Sequence, residues 1–134
     1  MYLCDFTTTA SWHPHTVGCS RLDSGPLSIG SEFSVRRSGV MRASSRYRVT
    51  DLHHGRSITL RSRTRAAELT DTMTFDVLAS GGTAVTYTTR ASFKGLARAG
   101  ESVLRSLLNR VGDDGAAGMA HILAHLDAST HAVV

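Results

Sequence analysis

At 134 residues the chain has the length of one domain, spanning 1–134, enough to bury a single core and too short for two. With 41% hydrophobic and 19% charged residues and no long apolar run, the composition excludes a disordered chain and a membrane-spanning helix, and fits a soluble globular protein. The net charge of +4 rests on 15 basic residues of which only Lys94 is a lysine; arginine suits bidentate contact with phosphate or carboxylate, so placement matters more than number.

The N-terminus "MYLCDFTTTAS" has no basic segment leading into a sustained apolar stretch, so no export signal is read and a cytoplasmic location is expected. Cys4 and Cys19 stand 15 residues apart with no CxxC spacing, so both are expected to be reduced and structural, with no disulfide and no metal site. In "WHPH" the two histidines could share an ion only on an extended segment, and no third ligand stands nearby. The better use of the motif is structural: Pro14 keeps the chain extended and Trp12 packs beneath the mouth of the fold, with His13 or His15 placed to lean in as a polar or proton-transferring group. "RLDSGPLSIGSEF" then reads as a hairpin, with Gly25, Pro26 and Gly30 in the turn and Phe33 entering the core face.

From Thr16 to Ala91 the sequence alternates in short segments separated by turn residues, the pattern of an antiparallel sheet. Phe33 and Val35, then Tyr47 and Val49, share one parity, and Arg46 and Arg48 the other. In "SITLRSRT" Ile58 and Leu60 oppose Arg61, Arg63 and Arg65; in "ELTDTMTFDV" Leu69, Met73, Phe75 and Val77 oppose Glu68, Thr70, Thr72 and Thr74. A turn at Ala66 and Ala67 would set Leu60 opposite Met73, Ile58 opposite Phe75 and Arg65 opposite Glu68. The next hairpin, through "ASGG", sets Val85 and Tyr87 opposite Phe75 and Met73. His53 and His54 fall in a turn between strands.

Asp71 shares the parity of Met73 and Phe75 and so points to the concave side. A carboxylate there is costly unless paired, hydrogen-bonded or wet, and such surroundings raise its pKa toward useful acid/base values. Tyr47 and Tyr87 face the same way and could each offer a hydroxyl, with core packing as the alternative role. Arg46, Arg48, Arg61 and Arg63 gather on the outer face, which is expected to be solvated; like charges across a sheet need acids or anions between them. With the aromatic residues turned inward there is no stacking platform, so no nucleic-acid partner is expected.

From about Gly100 the period becomes helical: Val103, Leu104, Leu107, Leu108, Val111, Met119, Ile122, Leu123 and Leu126 recur at spacings of three and four. Gly112, Gly115 and Gly118 interrupt this helix, each costing roughly 1 kcal/mol against alanine; either something approaches closely, a strand or a ligand, or the helix kinks or breaks at "GDDG". His121 and His125 lie four apart but lack the glutamate of a metalloprotease motif, and are read as solvated. No Ser/His/Asp triad, nucleotide-binding glycine loop or Cys/His pair is present as a motif, so a specific enzyme is not indicated.

A sheet with one apolar face followed by a single long helix implies an α+β layer arrangement in which the helix lies across the sheet and a hollow can form between them. In "YLCDFTTTASWHP", "RLDSGPLSIGSEFSVRR", "YRVTDLHHGRSITLRS", "DTMTFDVLASGGTAVTYTT" and "FKGLARAGESVLRSLLNRVGDDGAAGMAHI" the chain resembles the SRPBCC, START-like superfamily, which includes polyketide cyclase/dehydrase-like and birch-pollen-allergen-like proteins. The resemblance implies a helix-grip fold: an N-terminal strand, two short helices, a six-stranded antiparallel run and a long C-terminal helix over its concave face. "MYLCDF" resembles the last turn of the first short helix, so the usual first strand is not represented. Strands at Val17 and Val85 are then expected to present open edges, to be covered by a longer N-terminus or by a homodimer.

The expected site is the hollow. Phe33, Val35, Tyr47, Val49, Ile58, Leu60, Met73, Phe75, Val85 and Tyr87 would line it from the sheet, Leu104 and Leu108 from the helix, and Trp12 would close one end. The resemblance suggests a lipid, sterol-like or polyketide-like ligand, bound chiefly through apolar burial and oriented by Asp71 or a tyrosine, without a cofactor. The alternatives are cyclase or dehydratase chemistry, with Asp71, Tyr47, Tyr87 or His13 moving protons, and an interaction module that uses the arginine face.

Overall fold

A computed structural model describes residues 5–39 and 43–131, with side chains as far as residue 125. The expectations for Met1 to Cys4 and for the Leu126 side chain lie outside the described residues. Asp5 accepts a hydrogen bond from the Thr7 amide at 3.0 Å and so caps a short 3-10 turn, Phe6–Thr8. This continues into the single-turn helix α1 (Thr9–Trp12), which stops where His13 turns extended ahead of Pro14. Phe6 and Trp12 are buried from this segment.

Six strands follow in chain order and pair in that same order: β1 (Thr16–Arg21), β2 (Glu32–Arg37), β3 (Ser44–His53), β4 (Ser57–Arg63), β5 (Ala67–Val77) and β6 (Thr83–Phe93). All pairs are antiparallel, and among the described residues β1 and β6 are the outer strands of the sheet. Gly25 and Gly30, both at positive φ, turn the β1–β2 loop, where Arg21 reaches Asp23, the Pro26 carbonyl and Ser31. A register shift between Val49 and Asp51 inserts a bulge in β3. Because of that extra residue, Val49 and Leu52, three apart, both reach the core.

The β5–β6 register agrees with the sequence expectation: Met73 faces Tyr87 and Phe75 faces Val85. The β4–β5 register differs from it. Ile58 faces Met73, Leu60 faces Asp71 and Arg63, rather than Arg65, faces Glu68. The turn comes one residue earlier than expected because Thr64 and Ala67 close it, with the Thr64 amide donating to the Ala67 carbonyl and the Ala67 amide to the Thr64 hydroxyl. Moving the turn by one residue moves the register by two, which changes every partner and leaves every side chain on its expected face.

The concave face and the N-terminal segment bury Phe6, Trp12, Phe33, Val35, Tyr47, Val49, Ile58, Leu60, Met73 and Phe75, with Met119 from the helix above. On the outer face Arg48 stands directly opposite Arg61. Acids do intervene: Glu32 lies 3.6 Å from Arg46 and 3.5 Å from Arg48, while Glu68 is within reach of Arg61, Arg63 and Lys94.

After a 3-10 turn at Gly95–Gly100, α2 (Glu101–His131) runs without a break through "GDDG". Its glycines mark close approach, and the partner is the N-terminal strap. A Cβ on Gly118 would lie 1.8 Å from the Trp12 carbonyl oxygen, and one on Gly115 would lie 2.8 Å from the His13 ring. A Cβ on Gly112 would meet nothing within 4 Å. No described helix is long and apolar enough to cross a membrane.

Candidate functional site

Strand alternation brings one cluster of polar groups into the concave side. On β2 the alternation Phe33, Val35, Arg37 ends with a guanidinium turned inward; β3 contributes Tyr47, β5 contributes Asp71, and β6 contributes Tyr87 and Thr89. Leu60, Asp71 and Thr89 stand side by side in one row of the sheet. The strap after α1 brings His13 to the same region.

Arg37 donates through Nη2 to the Tyr47 hydroxyl at 2.8 Å, and its guanidinium carbon lies 5.9 Å from the centre of that ring. Burial works against its charge, but Tyr47 and Asp71 outweigh burial and hold the guanidinium protonated. Among the described residues it forms no ion pair.

Asp71 is 1% exposed, and neither carboxyl oxygen makes a hydrogen bond of ordinary geometry. Burial pushes its pKa up; the hydroxyl of Thr89, the charge of Arg37 and the hydroxyls of Tyr87 and Tyr47 act in the opposite direction without reversing it. Both tyrosine pKa values are also raised, first by burial and then by Asp71, so each keeps its phenolic proton.

His13 is buried and stays neutral. Burial, then the charges of Arg37 and His15, lower its pKa to about 4. The His15 amide donates to His13 Nδ1 at 3.3 Å, so the proton of the neutral ring belongs on Nε2. His15 itself pairs with Asp114 of α2 at 2.8 Å, which pins the strap to the helix one turn before Gly118.

Beneath α2 these groups border a small cavity lined by His13, Arg37, Leu69, Tyr87, Thr89, Leu108, Val111 and Gly112. Its free volume is about 20 Å³, room for one water molecule. The sheet and strap supply a polar end in His13, Arg37, Tyr87 and Thr89. Leu108 and Val111 of α2 supply an apolar end together with Leu69, and Gly112, lacking a side chain, leaves the gap.

Of the site residues named from sequence, His13, Tyr87 and Leu108 border this cavity, Tyr47 joins it through Arg37, and Asp71 lies behind it in the sheet. Trp12 caps the cluster edge-on to Tyr87, ring centres 6.0 Å apart. Phe33, Val35, Val49, Ile58, Leu60, Met73 and Phe75 are packed in the core, with Val85 partly buried against it and Leu104 half-buried on α2. His53 and Asp51 pair at the end of β3, and His121 and His125 stack on the exposed face of α2. Cys19 is a half-buried thiol whose pKa burial and Asp5 raise to about 11, which leaves it unreactive.

Arg37 and Thr89 were missed by the sequence reading. The signal for both was present: Arg37 continues the parity of Phe33 and Val35, and Thr89 that of Val85 and Tyr87. A charge at the end of an apolar alternation reads as the strand leaving the core, whereas here the next strand and the strap fold over it.

Residues 1–124 match the family model described as polyketide cyclase / dehydrase and lipid transport. No curated protein matches the chain.

Proposed function

The chain belongs to the polyketide cyclase / dehydrase and lipid transport family, of the SRPBCC, START-like superfamily, and from that premise we propose that it binds a small hydrophobic or amphipathic molecule between its sheet and α2. The observation that carries this reading is the polar cluster around the cavity, in which His13, Tyr47 and Asp71 are buried. A core built only for stability would not retain a buried Asp71, whose oxygens make no hydrogen bond of ordinary geometry, near a half-buried guanidinium with no ion pair among the described residues, because buried polar groups are costly unless satisfied. A ligand's polar end would satisfy them.

The cavity at its present size admits a ligand only if α2 moves. The part of the helix free to do so is its N-terminal half, where Leu104, Leu107, Leu108 and Val111 are half-buried; the part at Gly115 and Gly118 is held against the strap. Opening would extend the apolar end toward Leu104. Native mass spectrometry of protein purified from its own host tests the reading: a co-purifying small molecule supports it. A Gly112→Phe variant, whose ring would occupy the gap, should lose that molecule.

A second reading is favoured by the same cluster: cyclase or dehydratase chemistry on a carbonyl compound. Asp71, kept protonated by burial behind the cavity, would pass a proton through the Tyr87 hydroxyl at its wall to a carbonyl oxygen, and Arg37 would stabilise the developing enolate. Turnover of a poly-keto substrate that is lost in Asp71→Asn, with ligand binding retained, would separate this from binding alone.

A further inference from the structure

Resting on the reading of the cavity as a ligand site, we infer that the ligand carries a carboxylate, received by Arg37 with its apolar body toward Leu108 and Val111. The groups gathered at the polar end are donors almost without exception. Arg37 has five N–H donors, of which one is used on Tyr47. The hydroxyls of Tyr47 and Tyr87 retain their protons. His13 accepts at Nδ1 from the His15 amide and so presents N–H at Nε2. Thr89 adds a hydroxyl on the cavity wall. Asp71 is the one group there that could be an acceptor only, and its burial favours the acid form, which is itself a donor.

Such an array satisfies a group that only accepts better than a neutral amide or alcohol, part of whose polar surface is itself a donor, and it repels an ammonium. It suits a group that only accepts. Charge narrows the choice further. Arg37 brings one half-buried positive charge with no ion pair among the described residues, so a monoanion neutralises the site, while a phosphate dianion would bring one charge in surplus. The guanidinium fork matches the two oxygens of a planar carboxylate. Leu69, Leu108 and Val111 offer nothing polar to the rest of the molecule.

The test compares decanoate, decanamide and 1-decanol, below micelle-forming concentrations, by the fluorescence of Trp12, the only tryptophan and a neighbour of Tyr87. The unchanged protein should bind decanoate roughly tenfold or more tightly than decanamide, as charge-assisted hydrogen bonds exceed neutral ones. Arg37→Met should abolish that preference while still binding 1-decanol, and Arg37→Lys, which keeps the charge without the fork, should retain part of it. Equal or tighter binding of decanamide by the unchanged protein overturns the inference and leaves the ligand site standing. A preference for decanoate that survives in Arg37→Met overturns it as well. No binding of any of the three overturns the site and the inference together. Because the first comparison needs no variant, a failure of either substitution to fold does not protect the proposal.

Discussion

His13 couples the fold to pH. The folded chain holds its ring neutral with a pKa of about 4, against 6.5 for an unperturbed histidine, so between those values the unfolded chain binds the extra proton. Stability from this group is therefore complete above pH 6.5 and is lost as pH falls toward 4, up to about 3 kcal/mol. Urea unfolding across that range should show the loss, and His13→Gln should flatten it. Asp71 acts with the opposite sign. Its folded pKa is raised, so the folded state keeps a proton that the unfolded chain releases above 3.8, and stability falls as pH rises through the folded value. Asp71→Asn should unfold at higher urea than the unchanged protein at pH 8, with the gap narrowing as pH falls toward 3.8. A gap independent of pH would mean that the asparagine acts through packing. Both residues were named from sequence, Asp71 by parity and His13 by its motif. What parity could not supply was the depth of burial, since it tells which face a side chain takes and not what folds over that face.

Among the elements, α2 explains its glycines one by one. Gly118→Ala would drive a Cβ into the Trp12 carbonyl oxygen, a backbone atom that cannot step aside without moving the strap. The variant should lose about 1–3 kcal/mol from overpacking, less the roughly 1 kcal/mol that alanine adds to a helix. Gly112→Ala meets open space and should gain about 0.5–1 kcal/mol. Thermal melts of the pair check both, and equal shifts would mean that helix propensity alone is at work. The sequence showed that these glycines carried a cost but not which neighbour required them, because the strap that meets Gly118 lies about a hundred residues away in the chain. On the outer face, Glu68 serves Arg61, Arg63 and Lys94 at once. Glu68→Gln should destabilise by up to about 1 kcal/mol in low salt, and by less as salt screens the arginines from one another.

For the molecule as a whole, the sheet is a meander gripping one helix at one end. The grip is tight at Gly115 and Gly118 and looser toward Glu101, where the apolar stripe of α2 is half-buried. Hydrogen exchange should accordingly be faster for the amides of Leu104 to Val111 than for those of Gly115 to Met119, and a bound ligand should slow the first group. Uniform protection along α2 would count against opening at that end. The sequence by itself determined the antiparallel strands, the faces of their side chains, the long helix and the inward carboxylate, because each follows from a period of two or about 3.6 along the chain. Even the misplaced β4–β5 turn preserved those faces. Only the tertiary structure decided that Arg37 turns into the cluster, that the strap and not a strand or ligand fills the notch at Gly118, and how small the cavity beside Gly112 is. Those facts depend on segments remote in sequence meeting at one end of the sheet, and no local periodicity encodes the distance between them.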